Sequence, residues 1–203
     1  ATGIDHHGDS SHMPVVRLWD VSGTKPVPYG GLCRAHSQVA ALAFAPDGKA
    51  LLTGGGIFHS EVLLWRDLAR GKGALAVSPV NLPAPVPVAF APDGKALASG
   101  GQDNKVWLYQ ADRAGVRAGV GLEGHTARVT AVAFAPNGKA LVSSGLDGRV
   151  IVWDRAGGKK MRQWQLPGPV HAAAFAPDGR HLATANGNGT AFILRLADAK
   201  PKP

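Results

Sequence analysis

One stretch of the chain combines the three side chains that hydrolases use for nucleophilic catalysis. His125, Ser143 and Asp147 follow one another within a short span of the sequence. In a serine hydrolase the histidine takes the proton of the serine hydroxyl, and the aspartate orients the histidine. The same residue types also form buried structural networks, so the elements that position them have to be identified before a function is assigned.

These residues lie in a sequence repeat that runs along the whole chain. Segments of the form Ala-Phe-Ala-Pro-Asp/Asn-Gly contain Phe44, Phe90, Phe134 and Phe175, and successive phenylalanines are 46, 44 and 41 residues apart. A second series follows the same rhythm, with steps of 46, 44, 44 and 41 residues, and consists of Trp19, Trp65, Tyr109, Trp153 and Leu194. A period of about 40 to 45 residues is typical of four-stranded propeller blades. The repeat therefore predicts an all-β fold of small antiparallel sheets.

The repeat that holds the Ser-His-Asp set is the most regular. It predicts strands at residues 129–134, 140–144 and 149–153, and an outer strand at residues 163–166. Pro136-Asn137-Gly138 supplies a turn in which glycine tolerates a positive φ. A sheet of this kind has two apolar faces, and only neighbouring sheets can cover both of them.

The Phe-x-Pro-Asp-Gly turns and the Trp series make the chain resemble bacterial WD-repeat β-propellers, from Ala1 to about Leu196. The resemblance implies that each ideal blade contains a network of His, Ser or Thr, Asp and Trp. His125, Ser143, Asp147 and Trp153 match this network completely. The resemblance therefore implies a structural role for the set, and we expect no catalytic residue.

The other repeats depart from that pattern. The second has His59 where the Asp is expected, although it keeps Thr53 and Trp65. The third keeps Ser99 and Asp103 but has Tyr109 in place of Trp. In the last repeat Asn188 and Leu194 replace Asp and Trp beside Thr184.

Strand counting predicts about four and a half blades within residues 1–197. The predicted units are a partial blade, three full blades and a three-stranded last blade, followed by a Lys/Pro tail; their bounds are 1–34, 35–81, 82–123, 124–167, 168–197 and 198–203. Propellers have about four to eight blades, and an open arc leaves sheet faces bare. Three alternatives stay open: a part of a larger propeller, an incomplete five-blade ring, or closure by association with another copy or chain.

The N-terminal region contains a group of metal-binding side chains. His6, His7 and His12 lie within eight residues together with two carboxylates, a donor set that suits Zn²⁺ or Ni²⁺. The interval from Thr2 to Trp19 is longer than the matching interval from Ser143 to Trp153, so we interpret the stretch as a solvated loop insertion and expect no metal. No cofactor is expected either, because Cys33 lacks the second cysteine of a haem attachment motif.

The composition is that of an ordinary globular protein with an excess of positive charge. The formal net charge is +8, and the basic residues are spread along the chain instead of being clustered on one element. We therefore expect no nucleic-acid binding, although an acidic partner fits the charge. No apolar run is long enough to span a bilayer. We expect a cytoplasmic location, with any targeting segment upstream of Ala1 left open.

The resemblance implies a non-catalytic scaffold that binds a protein or peptide and belongs to a larger WD-repeat protein. In the family, binding residues lie just before the first strand and just before the turn carboxylate of a blade. The positions with suitable chemistry here are Gln38, Phe58, Gln102 and Arg128. Two alternatives stay open: a sensor or docking module of a bacterial kinase or redox protein, and an enzyme with its active site at the channel mouth.

Overall fold

The computed structural model describes residues 16–32, 39–55, 61–66, 74–76, 87–112 and 115–196. These residues form strands and turns, and none of them lies in a helix that could cross a membrane. The all-β fold class predicted from the repeats is confirmed. The predicted blade bounds reach beyond the described residues and stay predictions.

The described strands form five antiparallel sheets, which we number I to V in chain order. Sheet I has two strands, sheets II, III and IV have four each, and sheet V has three. Sheet I consists of Val16–Asp20 (β1) and Val27–Leu32 (β2). Sheet II consists of Val39–Phe44 (β3), Ala50–Gly55 (β4), Glu61–Arg66 (β5) and Ala74–Ala76 (β6). Sheet III consists of Val88–Phe90 (β7), Ala96–Gly100 (β8), Val106–Asp112 (β9) and Gly115–Leu122 (β10). Sheet IV consists of Val129–Phe134 (β11), Ala140–Gly145 (β12), Arg149–Asp154 (β13) and Lys160–Gln165 (β14). Sheet V consists of Val170–Phe175 (β15), His181–Asn186 (β16) and Ala191–Arg195 (β17).

The predicted strands of sheet IV are confirmed, except that the outer strand begins earlier than predicted. β14 starts at Lys160, because Lys160 pairs with Trp153 and Arg162 pairs with Val152 across a register shift. The charged start of β14 has no apolar alternation, so its strand character comes from this pairing with β13 and not from a sequence pattern.

Four matching turns lie at one end of the sheets, which we call the Pro-x-Gly end. The glycines have φ between 66° and 68°, the left-handed region that only glycine adopts easily, and are Gly48, Gly94, Gly138 and Gly179. Each glycine N–H donates to the alanine carbonyl three residues earlier at 2.8–2.9 Å. Strand direction places the β8–β9, β10–β11, β12–β13 and β14–β15 connections at the other end, which we call the network end.

The sheets stack in chain order, with one hydrophobic cluster at each junction. Leu18 of sheet I packs with Trp65 of sheet II, and Leu52 of sheet II packs with Tyr109 of sheet III. Larger clusters join sheets III and IV and sheets IV and V. Burial of each large apolar side chain in such a junction contributes about 1.5–3 kcal/mol.

Sheets III and IV are in close contact at Gly100. A Cβ on Gly100 would lie 2.8 Å from Val129 Cβ, so only glycine fits at this position. The backbone also crosses the junction here, since Val129 N donates to Gly101 O at 3.1 Å. The contact fixes how the β8–β9 and β10–β11 connections sit beside each other.

Sheet V packs on sheet IV with one face and exposes the other. Strand pairing aligns two exposed rows on this outer face, which consist of Ala172, Ala185 and Ala191, and of Ala174, Ala183 and Ile193. Ile193 is 70% exposed. We call this set the outer face of sheet V.

Candidate functional site

The structure brings His125, Ser143, Asp147 and Trp153 together in one hydrogen-bonded network in sheet IV. His125 Nε2 lies 2.8 Å from Ser143 Oγ, and His125 Nδ1 lies 3.1 Å from both carboxylate oxygens of Asp147. Trp153 Nε1 donates to Ser143 Oγ at 2.8 Å. The network ties the β10–β11 connection to β12, β13 and the β12–β13 turn.

A single arrangement of protons satisfies all four side chains. In this arrangement the Trp153 indole N–H donates to Ser143 Oγ, and the Ser143 hydroxyl donates to His125 Nε2. The other ring nitrogen of His125 then donates to Asp147. This assignment requires a neutral imidazole and an ionised carboxylate, and each neutral hydrogen bond of this kind contributes about 0.5–1.5 kcal/mol.

The environment favours those two charge states. Burial lowers the pKa of His125 below its usual range, and the neighbouring Asp147 carboxylate offsets only part of that effect. For Asp147 burial acts to raise the pKa, but hydrogen bonds outweigh it and hold the pKa below its usual range. The donors are the backbone N–H groups of Thr126 and Arg149, at 2.8 and 3.0 Å, together with the His125 ring. These two backbone donors were not predicted from the sequence.

The connectivity matches that of a hydrolase triad, yet the site has no room for a substrate. The side chain of His125 is 0% exposed and Ser143 is fully buried in the middle of β12. Ser143 Oγ also accepts a hydrogen bond from the Trp153 indole N–H. This oxygen is the atom that would have to attack a substrate. The arrangement can hold the sheet together but cannot reach a substrate as folded.

The corresponding positions of sheet II keep part of the network. Trp65 Nε1 donates to Thr53 Oγ1 at 3.0 Å, and both residues are buried. His59, which stands in the Asp position of this repeat, lies outside the described residues. The tryptophan-to-hydroxyl bond is therefore the part of the network that sheets II and IV share.

In sheet III the tryptophan that forms a hydrogen bond lies outside the repeat series, because Tyr109 stands where the repeat predicts a tryptophan. Trp107 Nε1 donates to Asp103 Oδ2 at 2.7 Å, while Ser99 Oγ and Tyr109 Oη are buried without a hydrogen-bond partner among the described residues. Trp107 was not predicted from the sequence, because it lies outside the repeated tryptophan series.

Sheet V has no tryptophan to complete its set. Thr184 Oγ1 is buried without a hydrogen-bond partner in the described part of the chain, because Leu194 replaces the indole donor. Asn188 instead accepts two hydrogen bonds from Thr190, whose N and Oγ1 lie 3.2 and 2.7 Å away. Sheet IV thus holds the one complete network among the described residues.

Two of the four predicted partner-binding residues lie side by side at the network end. Gln102 follows Gly101, whose carbonyl accepts the hydrogen bond from Val129 N, and Arg128 directly precedes Val129. Leu146 joins them, because Leu146 N donates to Arg128 O at 3.0 Å. We call Gln102, Arg128 and Leu146 the network-end patch.

The remaining predicted site residues cannot be placed. Gln38 and Phe58, predicted for the same rim, and His6, His7 and His12, the weak metal candidates, lie outside the described residues. The described residues contain no group of three or more His, Cys, Asp or Glu that could hold a metal ion.

The Pro-x-Gly end has a polar contact between sheets that the sequence did not indicate. Arg155 Nη1 donates to Asp93 Oδ2 at 2.8 Å and so joins sheet IV to the turn of sheet III. This hydrogen bond is the main cause that lowers the pKa of Asp93. The partners are 62 residues apart in sequence, and local patterns carry no information about such a pair.

Comparison with known families gives one match, which recurs along the chain. The model of the WD domain, G-beta repeat, matches residues 30–65, 88–110, 118–154 and 159–193. Together these matches cover more than half of the chain and fall on the end of sheet I and on sheets II to V. No curated protein matches the sequence.

Proposed function

The chain belongs to the WD-repeat family, and from this premise we propose that it is a scaffold that binds a protein or peptide segment through the network-end patch. WD-repeat domains are generally non-catalytic interaction scaffolds, and the repeats indicate this class here.

The observation that carries the proposal is the close contact between connections of two different sheets. The hydrogen bond from Val129 N to Gly101 O brings Gln102 of sheet III beside Arg128 of sheet IV. Leu146 adds an apolar side chain that is 39% exposed. Arginine is one of the residues enriched at the energetic centres of protein interfaces.

The complete network of sheet IV supports a preorganised surface at this patch. Asp147 follows Leu146 directly, and its carboxylate accepts hydrogen bonds from the backbone N–H groups of Thr126 and Arg149. A surface that is already ordered loses little conformational entropy on binding. The same surface would serve a free-standing scaffold and the docking module of a multidomain kinase or redox protein.

The test is the selection of binding peptides from a displayed random library, followed by affinity measurement on variants. We expect Arg128→Glu to weaken binding of selected peptides at least about tenfold when affinity is measured well below the Tm of the variant, since one interface anchor contributes about 1–2 kcal/mol or more. Leu146→Asp should weaken the same peptides.

The matched control is Lys139→Glu, which makes the same change in charge on an exposed residue at the Pro-x-Gly end. It should leave these affinities unchanged. Equal losses in Arg128→Glu and Lys139→Glu, or no loss in either, would remove the network-end patch from consideration.

A further inference from the structure

A cleft of about 890 Å³ opens between sheets II and III at the Pro-x-Gly end. Its walls include the turn carboxylate of Asp47, the ring of Phe90 and the methyl group of Ala111. Phe90 is half-buried here, whereas its counterpart Phe134 in the next sheet is 9% exposed. We call this space the II–III cleft; it lies at the opposite end of the sheets from the network-end patch.

The equivalent space between sheets III and IV is filled by an arginine of the chain itself. Arg155 Nη1 donates to Asp93 Oδ2 at 2.8 Å and to Gly138 O at 3.2 Å. Its guanidinium carbon lies 5.9 Å from the centre of the Phe134 ring, within the range of a cation–π interaction. The guanidinium thus has a carboxylate, a carbonyl and an aromatic face as partners.

Ala111 occupies in sheet III the position that Arg155 occupies in sheet IV. Ala111 N donates to Lys95 O at 2.9 Å, and Arg155 N makes the matching bond to Lys139 O at 3.0 Å. The turns are also spaced alike. A Cβ on Gly94 would lie 3.9 Å from Pro46 Cδ, and a Cβ on Gly138 would lie 3.7 Å from Pro92 Cδ. The II–III cleft is therefore open because a side chain is missing, and not because the sheets stand further apart.

At the junction of sheets IV and V, the counterparts of both Asp93 and Arg155 are replaced by uncharged residues. Leu196 N donates to Arg180 O at 2.8 Å, so Leu196 takes the position of Arg155. The turn of sheet IV carries Asn137 where sheet III has Asp93. Neither half of the ion pair is present there, whereas the II–III cleft keeps the carboxylate and lacks only a cation at the position of Arg155.

Asp47 has one carboxylate oxygen to spare. Its Oδ1 accepts a hydrogen bond from Lys49 N at 2.9 Å, as Asn137 Oδ1 does from Lys139 N. The turn therefore requires only one acceptor oxygen from this side chain, and the amide of asparagine supplies it as well as the carboxylate of aspartate does. No donor among the described residues bonds to Asp47 Oδ2, the oxygen that corresponds to the one holding Arg155.

From this comparison we propose that the II–III cleft binds an arginine side chain of a partner protein or peptide. The guanidinium would donate to Asp47 and to the carbonyl of Gly94 and would lie on the ring of Phe90, as Arg155 does with Asp93, Gly138 and Phe134. A planar guanidinium suits this set better than an ammonium, because it can donate to two acceptors and stack on an aromatic ring together.

Positive charges around the cleft oppose the binding of a guanidinium. Removing one of these charges gives a variant that distinguishes an arginine ligand from an acidic one. Lys49 and Lys95 line the cleft. The site of Arg155 has the same arrangement, because the turns of sheets III and IV on its two sides carry Lys95 and Lys139. Arg66 also lines the cleft and has interactions of its own. Arg66 pairs with Ala50 in sheet II as Gln110 pairs with Ala96 in sheet III, so the two residues occupy equivalent positions. Arg66→Gln should therefore strengthen the binding of an arginine peptide and weaken that of an acidic peptide.

The binding test uses the capped tripeptide acetyl-Gly-Arg-Gly-amide, with citrulline and glutamate versions as probes of charge. We expect the arginine peptide to shift the amide NMR signals of Gly48 and Gly94 with a Kd of about millimolar, as a single anchored side chain would give. The citrulline peptide should shift them at least about fivefold less.

The variant Asp47→Asn keeps the turn and should weaken arginine-peptide binding at least about fivefold. The matched control is Asp178→Asn, which changes the corresponding carboxylate of sheet V and should leave binding unchanged. Arg128→Glu at the network end should also leave it unchanged, so that failure here and failure of the proposed network-end patch are separate results.

A second experiment needs no added ligand, because Ala111→Arg supplies the missing guanidinium within the chain. We expect this variant to raise the Tm and to abolish binding of the arginine peptide, and the rise in Tm should disappear when Asp47→Asn is combined with it. The proposal is overturned if Ala111→Arg fails to raise the Tm in the presence of Asp47, or if the glutamate peptide binds in preference to the arginine peptide.

Discussion

Ser143 and Ser99 occupy matching buried positions in neighbouring sheets but differ in their hydrogen bonds. Ser143 accepts the indole N–H of Trp153 and contacts the His125 ring, while Ser99 Oγ has no partner among the described residues. An alanine at position 143 would leave two buried polar groups unsatisfied, and such groups cost about 1–3 kcal/mol each. An alanine at position 99 removes an unsatisfied oxygen instead.

We therefore predict different effects of the same substitution at the two sites. Ser143→Ala should lower the free energy of unfolding by about 2 kcal/mol or more, whereas Ser99→Ala should leave it unchanged or raise it slightly. Urea denaturation of both variants beside the unaltered protein gives the comparison. Equal losses in the two variants would show that the network in sheet IV does not contribute beyond packing.

The lowered pKa of His125 predicts a loss of stability on acidification. In the unfolded chain the imidazole has its ordinary pKa of about 6.5, so below that pH the unfolded chain binds a proton that the folded protein resists. The contribution of neutral His125 to the free energy of unfolding is complete above about pH 6.5. It is lost as the pH falls toward the pKa of His125 in the folded protein, at up to about 1.4 kcal/mol per pH unit. The depressed pKa of Asp147 acts in the same direction at lower pH.

Tm measurements between pH 8 and pH 5 test this prediction. His125→Asn should make the decline in Tm shallower, whereas the control His181→Asn, which changes an exposed histidine bonded to Asp178, should keep the original slope. A slope that is the same in all three proteins would contradict the assignment of a buried neutral His125.

At the scale of the sheets, the features that the repeat dictates were predictable, and those set by pairings outside the repeat pattern were not. The alternating apolar residues and Pro-x-Gly turns identify most strands of sheet IV, because side-chain direction and glycine φ are local properties. The start of β14 depends on pairing with β13, the Asp93–Arg155 contact joins two sheets, and the Trp107–Asp103 bond replaces an expected partner. These three features need the three-dimensional arrangement.

The outer face of sheet V predicts self-association, one of the ways of covering bare sheet faces that the sequence left open. Its aligned rows of alanine and Ile193 form a flat apolar surface of the kind that packs against another sheet. We expect the mass measured by light scattering to increase with protein concentration and Ile193→Lys to abolish that increase. Met161→Lys, an equivalent change at a residue that is 63% exposed on β14, is the control. Association that persists in Ile193→Lys would exclude this face as the contact.

The molecule as a whole is a stack of sheets whose two ends carry different surfaces. The network end combines connections from sheets III and IV over a satisfied polar network. The Pro-x-Gly end repeats one turn, with an arginine bound between sheets III and IV and an open cleft between sheets II and III. A rigid stack that keeps its core while its connections vary suits recognition more than chemistry.

Hydrogen–deuterium exchange with and without the tightest peptide from the library selection tests the proposed scaffold function most directly. We predict slower exchange at Gly101–Gln102, at Ala127–Val129 and at Gly145–Leu146, with no change in the four Pro-x-Gly turns. Protection confined to the Pro-x-Gly turns or to the outer face of sheet V would contradict binding through the network end.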